Sequence, residues 1–422
     1  AILNVDLKMD RESAFSQSNT LAEKNNWGPN NYNQVASFSH DTRTQNFVDL
    51  DAGGVEKVSS LMQDGLYHFY TWTVRHYREH EPNETRISFT PAGDLYGFKE
   101  TLAETVKGAT LGTGDARVIA QNFVQNETSI QLSEFEAIET SEEVLPSDRI
   151  DHTFVYQRTK EPIGDGFFRL KLVVSGDKVT ELKHFIKVPE KFSRRFEEMR
   201  SANNTLATSA SIAMFLLYGF GGIILGLFFM MRKRWVIWKQ AVYWGFFVAA
   251  FGALGEINFW PLMWMSYPTA LSEQSFFLQN IWSMVANTFA MTIIYSLSFM
   301  AAETLTRRAF PQQINLWQIW SRGATSSIQV LGRTIGGYLM VGFDLAFVIS
   351  FYLLTKKLFG WWDPASTLFD PNVIATPFPW ISSVSRALGA GFWEECLFRA
   401  VPIAGAAPVS YTTLTLPTKA YD

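Results

Sequence analysis

SASIAMFLLYGFGGIILGLFFMM, residues 209–231, is the stretch that decides the fold of this chain. It contains no charged residue, and it is long enough to cross the hydrocarbon core of a bilayer, which takes about 20 apolar residues. Polar, mixed-charge sequence precedes it, and Arg232, Lys233 and Arg234 follow it at once. The sequence therefore predicts an α+β extracytoplasmic domain followed by an all-α transmembrane bundle.

Further apolar segments continue the predicted bundle. The candidate spans are residues 209–231, 240–264, 276–302, 334–355 and 387–407. Glu256 and Asp344 lie inside two of them, where an ionisable group is costly and usually has a partner. We expect helix–helix hydrogen bonds from both acids, with a direct part in catalysis as the alternative.

The distribution of basic residues predicts an orientation. Basic clusters at 232–239 and 307–333 are two loops apart, so they share a side, and the positive-inside rule makes it the cytoplasmic one. Residues 1–208 then lie outside a membrane that we expect to be a bacterial inner membrane. Lys356, Lys357 and Arg386 fall on the outer side and count against this orientation. A net charge of −4 gives no sign of nucleic-acid binding.

The polar half shows a duplicated pattern, with a helix and a small antiparallel sheet in each unit. Residues 74–100 and 154–181 share the order strand, turn, strand, Gly-Asp hairpin and strand. Asp10 is placed to cap a helix over 11–25, and Asp115 to cap one over 116–124. We predict units at 1–110 and 111–190, similar in pattern to PepSY or cystatin-like modules, and an amphipathic linker helix at 191–208.

All six histidines lie in this polar half. His76 and His80 are four residues apart, but in a predicted strand or turn, so they do not share a helical face. We expect the histidines to lie on the surface, and no spacing among them predicts a metal site. The cofactor stays unknown, with a divalent metal left open.

The chemically richest stretch is Glu394-Glu395-Cys396-Leu397-Phe398-Arg399, near the end of the chain. Glu395 and Arg399 are four apart, which puts them on one helical face within ion-pair reach. Glu394 is turned about 100° away. One carboxylate can therefore be paired while the other stays free for acid–base work on a water. We read Cys396, the single cysteine, as a small apolar helix residue.

This Glu-Glu-x-x-x-Arg motif, within GFWEECLFRAVPIAGA at 391–406, resembles the first signature of the CAAX prenyl endopeptidase and bacteriocin-processing (CPBP, or Abi) family of intramembrane proteases. The resemblance implies hydrolysis of a peptide or protein substrate in the bilayer. Glu394 would be the general base, Glu395 its partner, and Arg399 the residue that pairs with a carboxylate. We expect the carboxylates of Glu394 and Glu395 to be buried.

The resemblance also implies two later histidine motifs, and no histidine follows His184. We expect that the resemblance covers only the front of the family's catalytic domain and that this chain alone is inactive. Residues 408–422 begin PVSYTTLTLP, which is polar and β-like, and we predict that they are a non-native tail. A genuine short tail is the alternative.

Three other interpretations stay open. Glu395 and Arg399 can form a purely structural ion pair at the end of a membrane helix. The chain can also be a non-catalytic membrane sensor or scaffold whose outer domain binds a ligand. A transporter fragment ranks last, because the spans show no repeat.

Overall fold

The computed structural model describes residues 5–128, 130–160, 162–319, 321–361 and 370–414. The chain forms two compact units. The first contains Ala1–Met199, Phe259–Gln279 and Pro364–Pro379, and the second contains Arg200–Asn258, Asn280–Asp363 and Trp380–Asp422.

The first unit is built on one eight-stranded antiparallel sheet with the order β1-β2-β3-β4-β8-β7-β6-β5. Its first half contains α1 (Arg11–Asn25), β1 (Asn33–His40), α2 (Thr42–Asp51), α3 (Gly54–Gln63), β2 (Tyr70–Tyr77), β3 (Glu84–Phe89) and β4 (Leu95–Thr101). Its second half contains α4 (Thr113–Glu127), a 3-10 turn (Leu132–Glu134), β5 (Phe135–Val144), β6 (Ile150–Arg158), β7 (Phe167–Ser175) and β8 (Lys178–Lys187). The predicted α+β class is confirmed for this part of the chain.

Each half has a helix and four antiparallel strands, and β4 pairs with β8 to make a single sheet. Helices α2 and α3, which separate β1 from β2, have no counterpart between β5 and β6. The apolar residues that alternate along β7, such as Leu170 and Leu172, are fully buried, as the period of two predicts. They share one core with Trp72 and Phe154.

Of the two predicted N-terminal helix caps, the structure contains one. Asp10 caps α1, since its carboxylate accepts a hydrogen bond of 2.8 Å from the backbone N–H of Ser13. The prediction for Asp115 is wrong: α4 begins at Thr113 after Gly112, and no side chain caps it. Asp115 lies inside the first turn, where a carboxylate still interacts favourably with the helix dipole.

Two segments from the apolar half of the sequence belong to the first unit and pack on its sheet. The guanidinium of Arg75 on β2 donates to the backbone carbonyls of Trp264, at 2.8 Å, and Met265, at 3.2 Å. The backbone N–H of Phe38 on β1 donates to Oδ1 of Asn372, at 2.9 Å. The edge of the sheet at β1 is therefore covered by chain from between the long helices.

The remaining elements are helices. They are α5 (Glu190–Met214), a π-helix (Phe215–Leu225), α6 (Gly226–Arg232), α7 (Trp238–Met263), α8 (Glu273–Ala309), α9 (Arg322–Thr325), α10 (Ile328–Phe359), α11 (Pro379–Glu394), a second π-helix (Glu395–Ala400) and α12 (Val401–Leu414). Short 3-10 turns lie at Trp264–Ser266, Leu316–Gln318 and Pro371–Ala375.

Four helical segments are long and apolar enough to cross a membrane. They are Glu190–Arg232, Trp238–Ser266, Glu273–Ala309 and Ile328–Phe359, which contain the first four predicted spans. The last predicted span, 387–407, is helical but does not meet the same criterion within the described residues. The chain thus fits an integral membrane protein.

The predicted linker at 191–208 is not a separate element, because α5 continues into the first apolar segment. Phe192 and Phe196 pack at its start on the core of the sheet. The backbone of Pro408–Leu414 is helical as part of α12, so the β-like prediction for this stretch is wrong. The remainder of the predicted tail, 415–422, lies outside the described residues.

Candidate functional site

The Glu-Glu-x-x-x-Arg motif spans the end of α11 and the second π-helix, Glu395–Ala400. Pro402, just inside α12, lacks the N–H that would bond the carbonyl of Phe398, and its ring crowds that carbonyl. We attribute the local widening of the helix to this proline. Short π-helical insertions are frequent at functional sites.

The structure brings together two of the three predicted site residues. Arg399 Nη1 forms an ion pair and hydrogen bond with Oε1 of Glu395, so the predicted pair is confirmed. Glu394 is exposed and makes no ion pair within the described part of the chain. The expected burial of the carboxylates is wrong, since 53% of the Glu395 side chain is accessible. The free carboxylate and the pair therefore lie on an open surface of the second unit.

The opposite side of the motif is packed into the core of the second unit. Cys396 and Leu397 are buried there beside Phe299, which supports the reading of Cys396 as an apolar packing residue. Phe398 contacts Tyr218 edge to face, with 5.5 Å between the ring centroids. Tyr218 lies in the first π-helix, so the two widened segments pack against each other.

Sequence reasoning missed Glu303 as a candidate site residue. Glu303 directly follows the third predicted span, 276–302, yet it is 3% exposed and lies within electrostatic range of Cys396. Its Oε1 is 3.5 Å from Nε of Arg307, one helical turn later on α8. This i,i+4 spacing was visible in the sequence, whereas the burial depends on tertiary packing.

The other acids of the apolar half differ in their surroundings. Glu256 on α7 accepts a hydrogen bond from the side-chain amide of Asn287 on α8, so the predicted helix–helix bond is confirmed. Close by, the amide of Asn258 donates to the hydroxyl of Ser382 at 3.0 Å. Asp344 on α10 is exposed, and its expected interhelical bond is not seen among the described residues.

All six histidines belong to the first unit, whereas the Glu-Glu-x-x-x-Arg motif belongs to the second. The prediction that they lie on the surface is wrong for His76 and His152, which are fully buried on strands of the sheet. Among the described residues no group of three or more His, Cys, Asp or Glu side chains could hold a metal ion.

The first unit has a cavity of about 510 Å³ where its two halves meet. His184 on β8 stacks on Tyr96 of β4 at 4.5 Å between centroids, and His68 meets the same tyrosine edge to face at 5.3 Å. Burial, together with the neighbouring His68, lowers the pKa of His184 to about 4. Arg158, paired with Glu134 at 2.8 Å, also lines the cavity. Such a combination of aromatic and polar groups suits a small polar ligand.

Comparisons with protein-family models, with curated proteins and with solved structures found no match to this chain. The assignment of a function therefore depends on the residues and contacts described above.

Proposed function

We propose that the motif belongs to a membrane-embedded endopeptidase of the CPBP type, in which Glu394 activates the hydrolytic water. Support comes from the pairing of Glu395 with Arg399, which leaves Glu394 without an ion-pair partner in the described chain. The paired carboxylate is neutralised, while the free one can accept a proton.

In the proposed reaction Glu394 takes a proton from water as the oxygen attacks the carbonyl carbon of the peptide bond. The same proton then passes to the leaving amine as the carbon–nitrogen bond breaks. Arg399 and Glu395 keep the π-helical turn in one orientation, so that Glu394 faces the water. The motif itself contains no group for oxyanion stabilisation beyond the paired Arg399, so this role falls to groups outside it. No histidine after His184 is present to fill that role in this chain.

We further propose that the protein is located in a bacterial inner membrane. The bilayer is a partner through the four apolar segments. We place residues 1–208 on the extracytoplasmic side of a bacterial inner membrane, with the basic residues at 232–239 and 307–333 in the cytoplasm. The substrate is a peptide or protein that reaches the surface of the second unit. The two halves of the sheet are proposed to derive from one duplicated module.

The test compares variants of the protein expressed from its own gene and reconstituted into liposomes with fluorogenic apolar peptides. Glu394→Gln, which keeps the shape but removes the base, is expected to lower the cleavage rate at least about 100-fold. Glu104→Gln, an exposed acid of the first unit, is the matched control and should leave the rate unchanged. Unchanged cleavage in Glu394→Gln would refute the assignment.

The 422-residue chain by itself is expected to be inactive in the same assay. Turnover by this chain that disappears in Glu394→Gln would contradict that expectation and would still support the role of Glu394.

A second candidate function is a membrane sensor or scaffold, which the cavity of the first unit favours. A ligand held between β4 and β8 would contact both halves of a sheet whose edge carries the segments Phe259–Gln279 and Pro371–Ala375. A thermal-shift screen of amino acids, dicarboxylates and short peptides tests it, with Arg158→Gln as the cavity variant. A stabilising ligand that needs Arg158 but not Glu394 favours the sensor, whereas no stabilisation by any of them counts against it.

A further inference from the structure

The end of α8 forms a basic cavity of about 400 Å³ in the second unit. Its lining residues are Trp235, Thr304, Arg307, Arg308 and Pro311. Thr304 is 2% exposed, and its hydroxyl has no hydrogen-bond partner within the described part of the chain. A buried hydroxyl without a partner is costly, so this donor beside two guanidinium groups points to a ligand with acceptor oxygens.

The cavity is positively charged because its arginines are only partly neutralised. Arg307 is paired with Glu303 at 3.5 Å, but Arg308 has no carboxylate within ion-pair distance among the described residues. Arg308 lies over the ring of Trp235, with 3.2 Å from its Cζ to the ring centroid. This stacking holds the guanidinium plane in place while its N–H groups stay available to an anion.

An apolar cavity of about 560 Å³ lies beside the basic one. Aromatic rings line it, including Trp244, Phe251, Phe299 and Phe392, and none of its lining residues within the described part of the chain is charged. Trp317 also lines it and connects the two cavities, because the guanidinium of Arg307 stacks on Trp317 at 4.2 Å. A basic cavity and an apolar cavity are thus adjacent, beside helices apolar enough to span a membrane.

We propose that the two cavities form one site for an anionic glycerophospholipid, with its phosphate at Arg308 and Thr304 and one acyl chain in the aromatic cavity. Basic pockets between membrane helices are suited to acidic headgroups, and a phosphate accepts hydrogen bonds from hydroxyl and guanidinium donors together. A soluble phosphate would fill only the basic part. The site is independent of the proposed chemistry at Glu394, although Phe392 on the same helix lines the apolar cavity.

The test is a titration of the purified full chain in non-ionic detergent with dioleoyl phosphatidylglycerol, dioleoyl phosphatidylcholine or inorganic phosphate. Phosphatidylglycerol is expected to bind more tightly than phosphatidylcholine, and inorganic phosphate more weakly than phosphatidylglycerol. Arg308→Gln should raise the dissociation constant for phosphatidylglycerol about fivefold. Thr304→Val, which keeps the shape of the side chain, should raise it by a similar factor.

Matched variants separate the site from general charge and hydrophobicity. Arg322→Gln removes an exposed arginine outside the cavity and should leave the affinity unchanged. Ala387→Phe narrows the apolar cavity and should weaken the lipid, whereas Ala390→Phe on the same helix should not. Equal affinity for the two lipids, or wild-type affinity in both Arg308→Gln and Thr304→Val, would overturn the proposal. Binding of inorganic phosphate as tight as that of the lipid would overturn the choice of a lipid.

Discussion

At the scale of single residues, His76 shows how burial changes the chemistry of a side chain. Its ring is fully buried on β2, stacks on Tyr32 at 3.9 Å between centroids, and lies 3.2 Å from the hydroxyl of Ser18 through Nε2. Burial lowers the pKa of His76 to about 4. The fold therefore requires the neutral ring at neutral pH.

This shift predicts a pH dependence of stability. In the unfolded chain the pKa of His76 returns to about 6.5, so between pH 6.5 and 4 the unfolded state binds more protons than the fold. The contribution of neutral His76 to the free energy of unfolding is then fully present above about pH 6.5. It falls by about 3 kcal/mol as the pH drops to 4. We expect His76→Asn to flatten this decline, measured as the free energy of unfolding of the full chain against pH.

His80→Asn is the matched control. His80 is exposed and has a φ of 60°, a conformation that asparagine adopts readily. This variant should keep the slope of the wild-type protein. A wild-type slope in His76→Asn as well would show that His76 does not titrate as expected.

The site residues show what a sequence can and cannot predict at this scale. Glu395 and Arg399 could be paired in advance, because an i,i+4 contact depends only on local helix geometry. The burial of Glu303 and His76 could not, because each is covered by elements distant in sequence. The exposure of Glu395 was missed for the same reason: apolar neighbours in sequence do not specify which face packs.

At the scale of elements, the joint between β4 and β8 makes one sheet from two halves. Only Phe98 and Lys99 of β4 are in register with β8, opposite Leu182 and Glu181. The hairpins at Gly93 and Gly176 could be predicted, because a Gly-Asp pair is a local turn signal. Both glycines adopt the positive φ that such turns favour. The joint could not, since it pairs strands about 80 residues apart, and a strand pattern does not specify its partner.

Gly97 is the residue that allows this joint. A Cβ atom at this position would lie 2.6 Å from the backbone carbonyl oxygen of Leu182, which cannot move without shifting β8. We expect Gly97→Ala to destabilise the first unit by about 2 kcal/mol, measured by denaturant unfolding of the full chain. Gly114→Ala is the control, because nothing lies within 4 Å of its Cβ in α4. A loss at Gly97 no larger than at Gly114 would contradict the role of the close approach.

At the scale of the whole molecule, the first unit includes chain from both halves of the sequence. Tyr267 is 1% exposed and packs with Tyr77 and Val35 of the sheet. The backbone N–H of His80 donates to the carbonyl of Thr269 at 2.8 Å, and that of Glu273 donates to Oε1 of Glu79 at 3.0 Å. The loop between α7 and α8 is therefore part of the folded first unit.

Arg75 is the central contact of this loop, and it supports the last prediction. Its side chain is buried, bonds Glu84, lies over the ring of Tyr77 at 4.9 Å, and donates to two carbonyls of the loop. Arg75→Gln removes those donors and leaves Glu84 with Arg86 alone, so we expect a loss of about 3 kcal/mol. Hydrogen exchange over residues 259–279 should accelerate at least tenfold, whereas Arg78→Gln, at an exposed ion pair, should change neither quantity. If exchange in this loop stayed slow while the sheet lost stability, Arg75 would support the sheet without holding the loop.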